Sequence, residues 1–144
     1  MAGNSIYRGP TRNQAETVNL PVAGAYLPGL LVTSNGVVLT AAVVVDSDNE
    51  LLVLANADFN NQDTTTAYVS GDTGVAYVTV PGETYQVQMA AATYAVGDPL
   101  TVDANGQLAA AATTNPVIAY CQQAGTFAAA ALADAVIANR VKLT

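Results

Sequence analysis

Asp46, Asp48 and Glu50 stand at alternate positions in one polar turn, the spacing at which carboxylate oxygens of a calcium loop surround a hard cation. The match ends at Leu51, which occupies the place where an EF-hand loop needs glycine, and strand-like rather than helical segments flank the turn. A solvated turn is expected there, not a metal site. Cys121, the single cysteine, would be a nucleophile only as a thiolate, yet Ile118-Ala119-Tyr120-Cys121 has strand character and no cation nearby to stabilise one. A buried structural thiol is the expectation. The chain has no histidine, the commonest general base, and none of its eleven acids pairs with another in a recognisable glycosidase motif. No glycine-rich phosphate loop precedes a helix, and no lysine lies near a glycine-rich turn. The residues therefore point away from an enzyme, with no catalytic residue, no cofactor and no metal.

The charges are more informative. All four basic side chains sit at the two ends, Arg8 and Arg12 near the start and Arg140 and Lys142 near the finish, while residues 13 to 139 carry all eleven acids and no Lys, Arg or His. A body of one sign at net charge −7 repels polyanions, so nucleic acid is not an expected partner. Such a plan suits an accessory binding module whose body faces water while its ends engage an acidic neighbour, or each other.

At 144 residues the chain is long enough for one core. Alanine supplies 28 of its residues, against two Phe and no Trp. A core finely divided among small side chains gains little per residue, so help from oligomerisation or from a larger assembly is expected. The first residues show no apolar core of a secretory signal, and the longest uncharged, glycine-free apolar stretch, Val37 to Val45, is far below the roughly 20 residues of a membrane helix. A soluble protein with no membrane partner, made in a reducing cytosol, is the expectation.

Residues 1–20 are polar, with apolar anchors only at Ile6, Tyr7, Val18 and Leu20, and read either as an extended arm that docks on a partner or as a disordered terminus. From Pro21 onward short Val-rich segments alternate with Gly, Asn, Asp and Pro, so residues 21–144 read as a mainly β domain, a small β-sandwich or β-barrel of eight to ten strands. Asn35-Gly36 predicts a tight hairpin between Leu30–Thr33 and Val37–Ala41. Leu51–Ala55, Tyr68–Ser70, Val75–Val80 and Tyr85–Met89 follow as strands, the last alternating so that Tyr85, Val87 and Met89 face the core. A second hairpin turns at Asp103–Gly106 between Leu100–Val102 and Gln107–Ala109. Pro116–Cys121 and Val136–Leu143 are the final strands. Phe127–Ala135 is ambiguous: alanine and an N-cap at Thr126 favour a short helix or turn, the strand-rich context an irregular or paired segment, and the balance tips to helix or turn. Most of the seven tyrosines fall in predicted strands; Tyr7 and Tyr26, the latter beside Pro28-Gly29, are the ones placed to anchor an interface.

Taken in order, Leu30-Leu31-Val32 with its Asn35-Gly36 hairpin, the Pro81-Gly82 turn, Val96-Gly97-Asp98-Pro99-Leu100, the Asn105-Gly106 hairpin, Val117-Ile118-Ala119 and terminal Arg140-Val141-Lys142-Leu143 resemble tailed-bacteriophage head decoration (cement) proteins. The likeness spans roughly residues 20 to 144. It implies a virion structural protein on the outer capsid surface, a homo-oligomer and most often a trimer, that clamps neighbouring subunits of the major capsid protein in an expanded shell. On that reading Ile6, Tyr7, Arg8, Arg12 and Tyr26 are candidate capsid contacts, and Arg140 and Lys142 candidate intersubunit contacts. The competing class is a surface-exposed fibre or adhesin-like module that recognises carbohydrate or a host protein.

Overall fold

The computed structural model describes residues 6–9, 16–43, 50–57, 62–112 and 114–142, the side chains of 139–142 excepted. Among the described residues every regular element is a strand: β1 (Tyr7–Gly9), β2 (Thr17–Pro21), β3 (Leu31–Ser34), β4 (Leu39–Ala41), β5 (Leu52–Ala55), β6 (Thr73–Val78), β7 (Thr84–Met89), β8 (Thr93–Tyr94), β9 (Pro99–Val102), β10 (Leu108–Ala110), β11 (Pro116–Cys121), β12 (Gly125–Thr126) and β13 (Ala131–Lys142). The mainly β, small-barrel expectation is correct.

One sheet runs β7-β10-β9-β11-β13 and closes on itself because β13 also pairs with β7, giving a five-stranded barrel with β1 added beside β7. Closure removes the sheet edges that would otherwise invite aggregation. Tyr85, Val87 and Met89 alternate into this barrel, each fully buried as the sequence requires. Opposite them on β13 stand Ala135, Ala133 and Ala131. A large residue thus meets a small one at every step, which is how an alanine-rich chain fills a barrel.

Of the segment expected to favour a helix or turn, Phe127–Ala135, residues 127–130 are irregular and residues 131–135 begin the 12-residue strand β13. Alanine's helix propensity is a local preference of a few tenths of a kcal/mol, and it is overridden by pairing with β7 on one side and β11 on the other. Tyr68–Ser70 is not a strand either: Tyr68 is held by its hydroxyl, which donates to the Ala55 carbonyl.

The second sheet, β2-β6-β5-β3-β4, is wholly antiparallel, and it curls until Val22, just past β2, bridges Leu39 of β4. Its hairpin β3–β4 is the expected one, but it closes at Ser34↔Leu39, so Asn35 and Gly36 belong to a longer loop in which the Asn35 side chain accepts from the amides of Val37 and Val38. Alternate residues serve two cores. Val32, Leu39, Leu52, Leu54 and Ala76 fill the interior of the curled sheet, while Leu31, Val53 and Ala55 pack against the first barrel. This is why Leu51-Leu52-Val53-Leu54-Ala55 is a continuous apolar run: every one of its side chains is buried.

Pro28–Leu31 sutures the two units. The Gly29 amide donates to the Leu54 carbonyl and its carbonyl accepts from the Gln88 amide, while Leu31 donates to Gly106. Gly29 has φ 91°, and a Cβ there would collide with Leu132 Cδ2. Only glycine satisfies both constraints.

Candidate interaction surface

The segment expected as an extended arm is, where described, part of the fold. Thr17–Pro21 pairs along β6 from Thr17↔Tyr77 to Pro21↔Thr73, so the expected boundary between residues 20 and 21 falls inside β2. Ile6 is 2% exposed, and its carbonyl accepts from the Gln86 amide at 2.7 Å. Tyr7 packs edge-on against Tyr85, ring centroids 5.3 Å apart, and also meets Tyr77. Its hydroxyl donates to Glu83 Oε2 at 3.0 Å; Tyr85 donates to the other oxygen at 2.8 Å, and the Val80 amide to that same oxygen at 3.1 Å. Glu83 is buried, and these donors are what make a buried carboxylate tolerable. In this conformation Ile6 and Tyr7 are therefore core and latch residues rather than outward anchors. The sequence hid this because Tyr7 and Glu83 are 76 residues apart.

Arg8 reaches Asp134 with Nε at 3.5 Å, both side chains more than 30% exposed. An exposed pair of this kind is weak and exchangeable. Arg12 lies outside the described residues, as do Asp46 and Asp48, while Glu50 is exposed. Tyr26 is half-buried against the second core, and its carbonyl accepts from the Tyr68 amide at 2.8 Å. Arg140 and Lys142 sit on the last stretch of β13, with Lys142 opposite Pro116; their side chains lie outside the described residues. Cys121 is fully buried, its thiol directed to the Gln123 carbonyl at 3.2 Å. No group of three or more His, Cys, Asp or Glu that could hold a metal occurs among the described residues, and no helix there is long and apolar enough to cross a membrane.

Two titrating groups are shifted. Tyr94 is held above its ordinary 10.0, first by burial and then by the charges of Asp103 and Cys121. Asp63 is held below its ordinary 3.8, chiefly by the hydroxyl of Thr66 and then by that of Thr65. Tyr94 belongs to the first core and Asp63 to a local turn, so they form no shared site.

A surface that sequence reading missed lies across the outside of the first barrel. Pro99 is opposite Tyr120, Tyr120 opposite Val136, and Val136 opposite Thr84, so four strands contribute one transverse row without a charged side chain. Tyr120 is 40% exposed. The turn carrying exposed Val96 is bonded to the row's edge through Gly97 and Cys121, and the turn carrying exposed Val80 through Gly82 and Ile137. Solvent-facing aromatic and aliphatic side chains in an uncharged row suit a protein contact. The alternation of Tyr120 against buried Ala119 and Cys121 was its available signal.

No protein-family model matches the chain. No curated protein matches it either. Among solved structures, the chain is similar to the N base of head fiber gp8.5 of bacteriophage phi29, at 18% identity and a TM-score of 0.56, over 91% of this chain and 99% of that one. At that identity the likeness establishes a shared fold.

Proposed function

We propose that this chain is a structural, non-catalytic protein of a tailed-phage virion, made in the host cytoplasm and carried on the outer surface of the head. It binds the major capsid protein as a homo-oligomer, a trimer, and clamps neighbouring subunits of the expanded shell. The observation that carries this reading is the end-to-end likeness of its fold to a phage head-fiber base. The charge plan supports it: an acidic body stays soluble at high copy number, and weak contacts repeated over an oligomer add up through effective concentration. The uncharged row through Pro99, Tyr120 and Val136 is the proposed shell-facing strip. Arg8, Arg12 and Tyr26 are its flanking candidates, and Arg140 and Lys142 remain candidates for contacts between copies.

The same likeness favours a second reading, in which the chain is the base of a fibre that recognises carbohydrate or host protein beyond the head. Shell melting separates the two. A clamp raises the disruption temperature of expanded shells from the source virus when added at saturation, whereas a fibre base binds and leaves it unchanged. Absence of binding to expanded shells rejects both.

A further inference from the structure

Asn-Gly occurs twice in the chain, at 35–36 and 105–106, and both pairs sit at hairpin tips, β3–β4 and β9–β10. Asparagine is thermolabile, most of all before glycine, because the glycine amide nitrogen can attack the asparagine side-chain carbonyl carbon with no side chain in the way. The reacting groups are the same at both tips, so the fold decides between them.

At the first tip the reacting groups are open. Ser34, Asn35, Gly36 and Val37 are exposed, and a Cβ added at Gly36 would meet nothing within 4 Å. Asn35 Oδ1 accepts from the Val37 amide at 2.8 Å and from the Val38 amide at 2.9 Å. Two backbone N–H groups on one carbonyl oxygen stabilise the negative charge which that oxygen takes up when a nucleophile adds to Cγ. The Gly36 N–H donates to the exposed Ser34 hydroxyl at 3.1 Å, so its proton has a short path to water.

The second tip is closed. Gly106 is buried, its carbonyl accepts from the Leu31 amide at 2.9 Å, and a Cβ there would lie 2.9 Å from the Leu31 carbonyl oxygen. On either side of it the amides of Asn105 and Gln107 donate to Asp103 Oδ1, at 2.7 and 3.1 Å. This clamp keeps the Gly106 nitrogen from turning onto the Asn105 side chain, and the Asp103 carboxylate opposes loss of a proton beside it.

We propose that Asn35 is a site of spontaneous deamidation in the folded protein and that Asn105 is protected from it. The Gly36 nitrogen bonds to Asn35 Cγ and gives up its proton, the Cγ–Nδ2 bond breaks, and ammonia leaves with a proton from water, closing a succinimide ring. Water then opens the ring at one of its two carbonyls. Breaking the bond from nitrogen to Cγ leaves aspartate at position 35; breaking the other leaves isoaspartate, with the backbone running through Cγ. Nothing is oxidised or reduced. Either product adds one negative charge to a chain already at −7, and the iso form also lengthens the turn by one backbone carbon.

The test incubates the full chain in mildly alkaline buffer made with heavy-oxygen water, once folded and once unfolded in guanidinium, and follows both tips by peptide mass as heavy oxygen enters. Unfolded, the two sites are expected to convert at comparable rates. Folded, Asn35 is expected to convert about tenfold or more faster than Asn105. The same ratio in the folded and unfolded chain, or Asn105 ahead of Asn35 in the folded chain, overturns the proposal. Neither result bears on attachment to the head.

Discussion

The closed barrel and the curled second sheet solve the same problem, a shortage of large side chains, in different ways. In the first, one strand supplies the bulk and its neighbour supplies alanine: Tyr85 faces Ala135, Val87 faces Ala133 and Met89 faces Ala131, and all but half-buried Ala131 are at most 1% exposed. In the second, the interior is largely aliphatic, and Gly74 lets Val22, Leu39 and Leu54 close together. Val18 and Leu20, at its margin, are only partly buried. A closed barrel can lend its outside to a partner without losing its core. That is why we place protein contact on the first.

The two units depend most on their seam at Gly29. Gly29→Val must leave a positive φ and displace Leu132, so it is expected to cost about 3 kcal/mol or more in urea unfolding. Hydrogen exchange should rise in the closed barrel and the curled sheet together; loosening of one alone would show that they are separate folding units. Next comes the large-against-small rule. Ala135→Leu, which puts bulk opposite Tyr85 and Cys121, is expected to cost about 1–3 kcal/mol, and a neutral result would mean the barrel has slack that the burial denies. Tyr7→Phe removes one hydroxyl from Glu83 and leaves the ring, so about 1 kcal/mol is expected, with faster exchange at the Gln86 amide that bonds Ile6. The smallest effect is Arg8→Ala, below about 0.5 kcal/mol and vanishing in high salt, because the ion pair with Asp134 is exposed.

What the sequence disclosed and what it hid follow from how far each feature reaches along the chain. Tyr85, Val87 and Met89 announced their face because strand alternation is local, and Pro116–Cys121 was bounded correctly by its own apolar run. Gln86 and Gln88 share the strand yet are buried too, since the Ile6 carbonyl and the Pro28–Gly29 segment cover the other side of β7. No periodicity in Thr84–Met89 reveals those distant covers. Ile6 and Tyr7, whose types and position suggest capsid contacts, pack within the chain's own barrel. The arrangement of Pro99, Tyr120 and Val136 in one row exists only through strand pairing.

The most direct measurement is gradient co-sedimentation with expanded and unexpanded heads, comparing the natural chain with a Tyr120→Asp, Val136→Asp variant whose circular dichroism and melting match it. Saturable binding of the natural chain to expanded heads is expected, with loss of that binding in the charged variant, because two desolvated carboxylates would be forced into the contact strip. Equal sedimentation of both chains with the heads would remove the row from the interface, and failure of either to bind would contradict the assignment to the phage head.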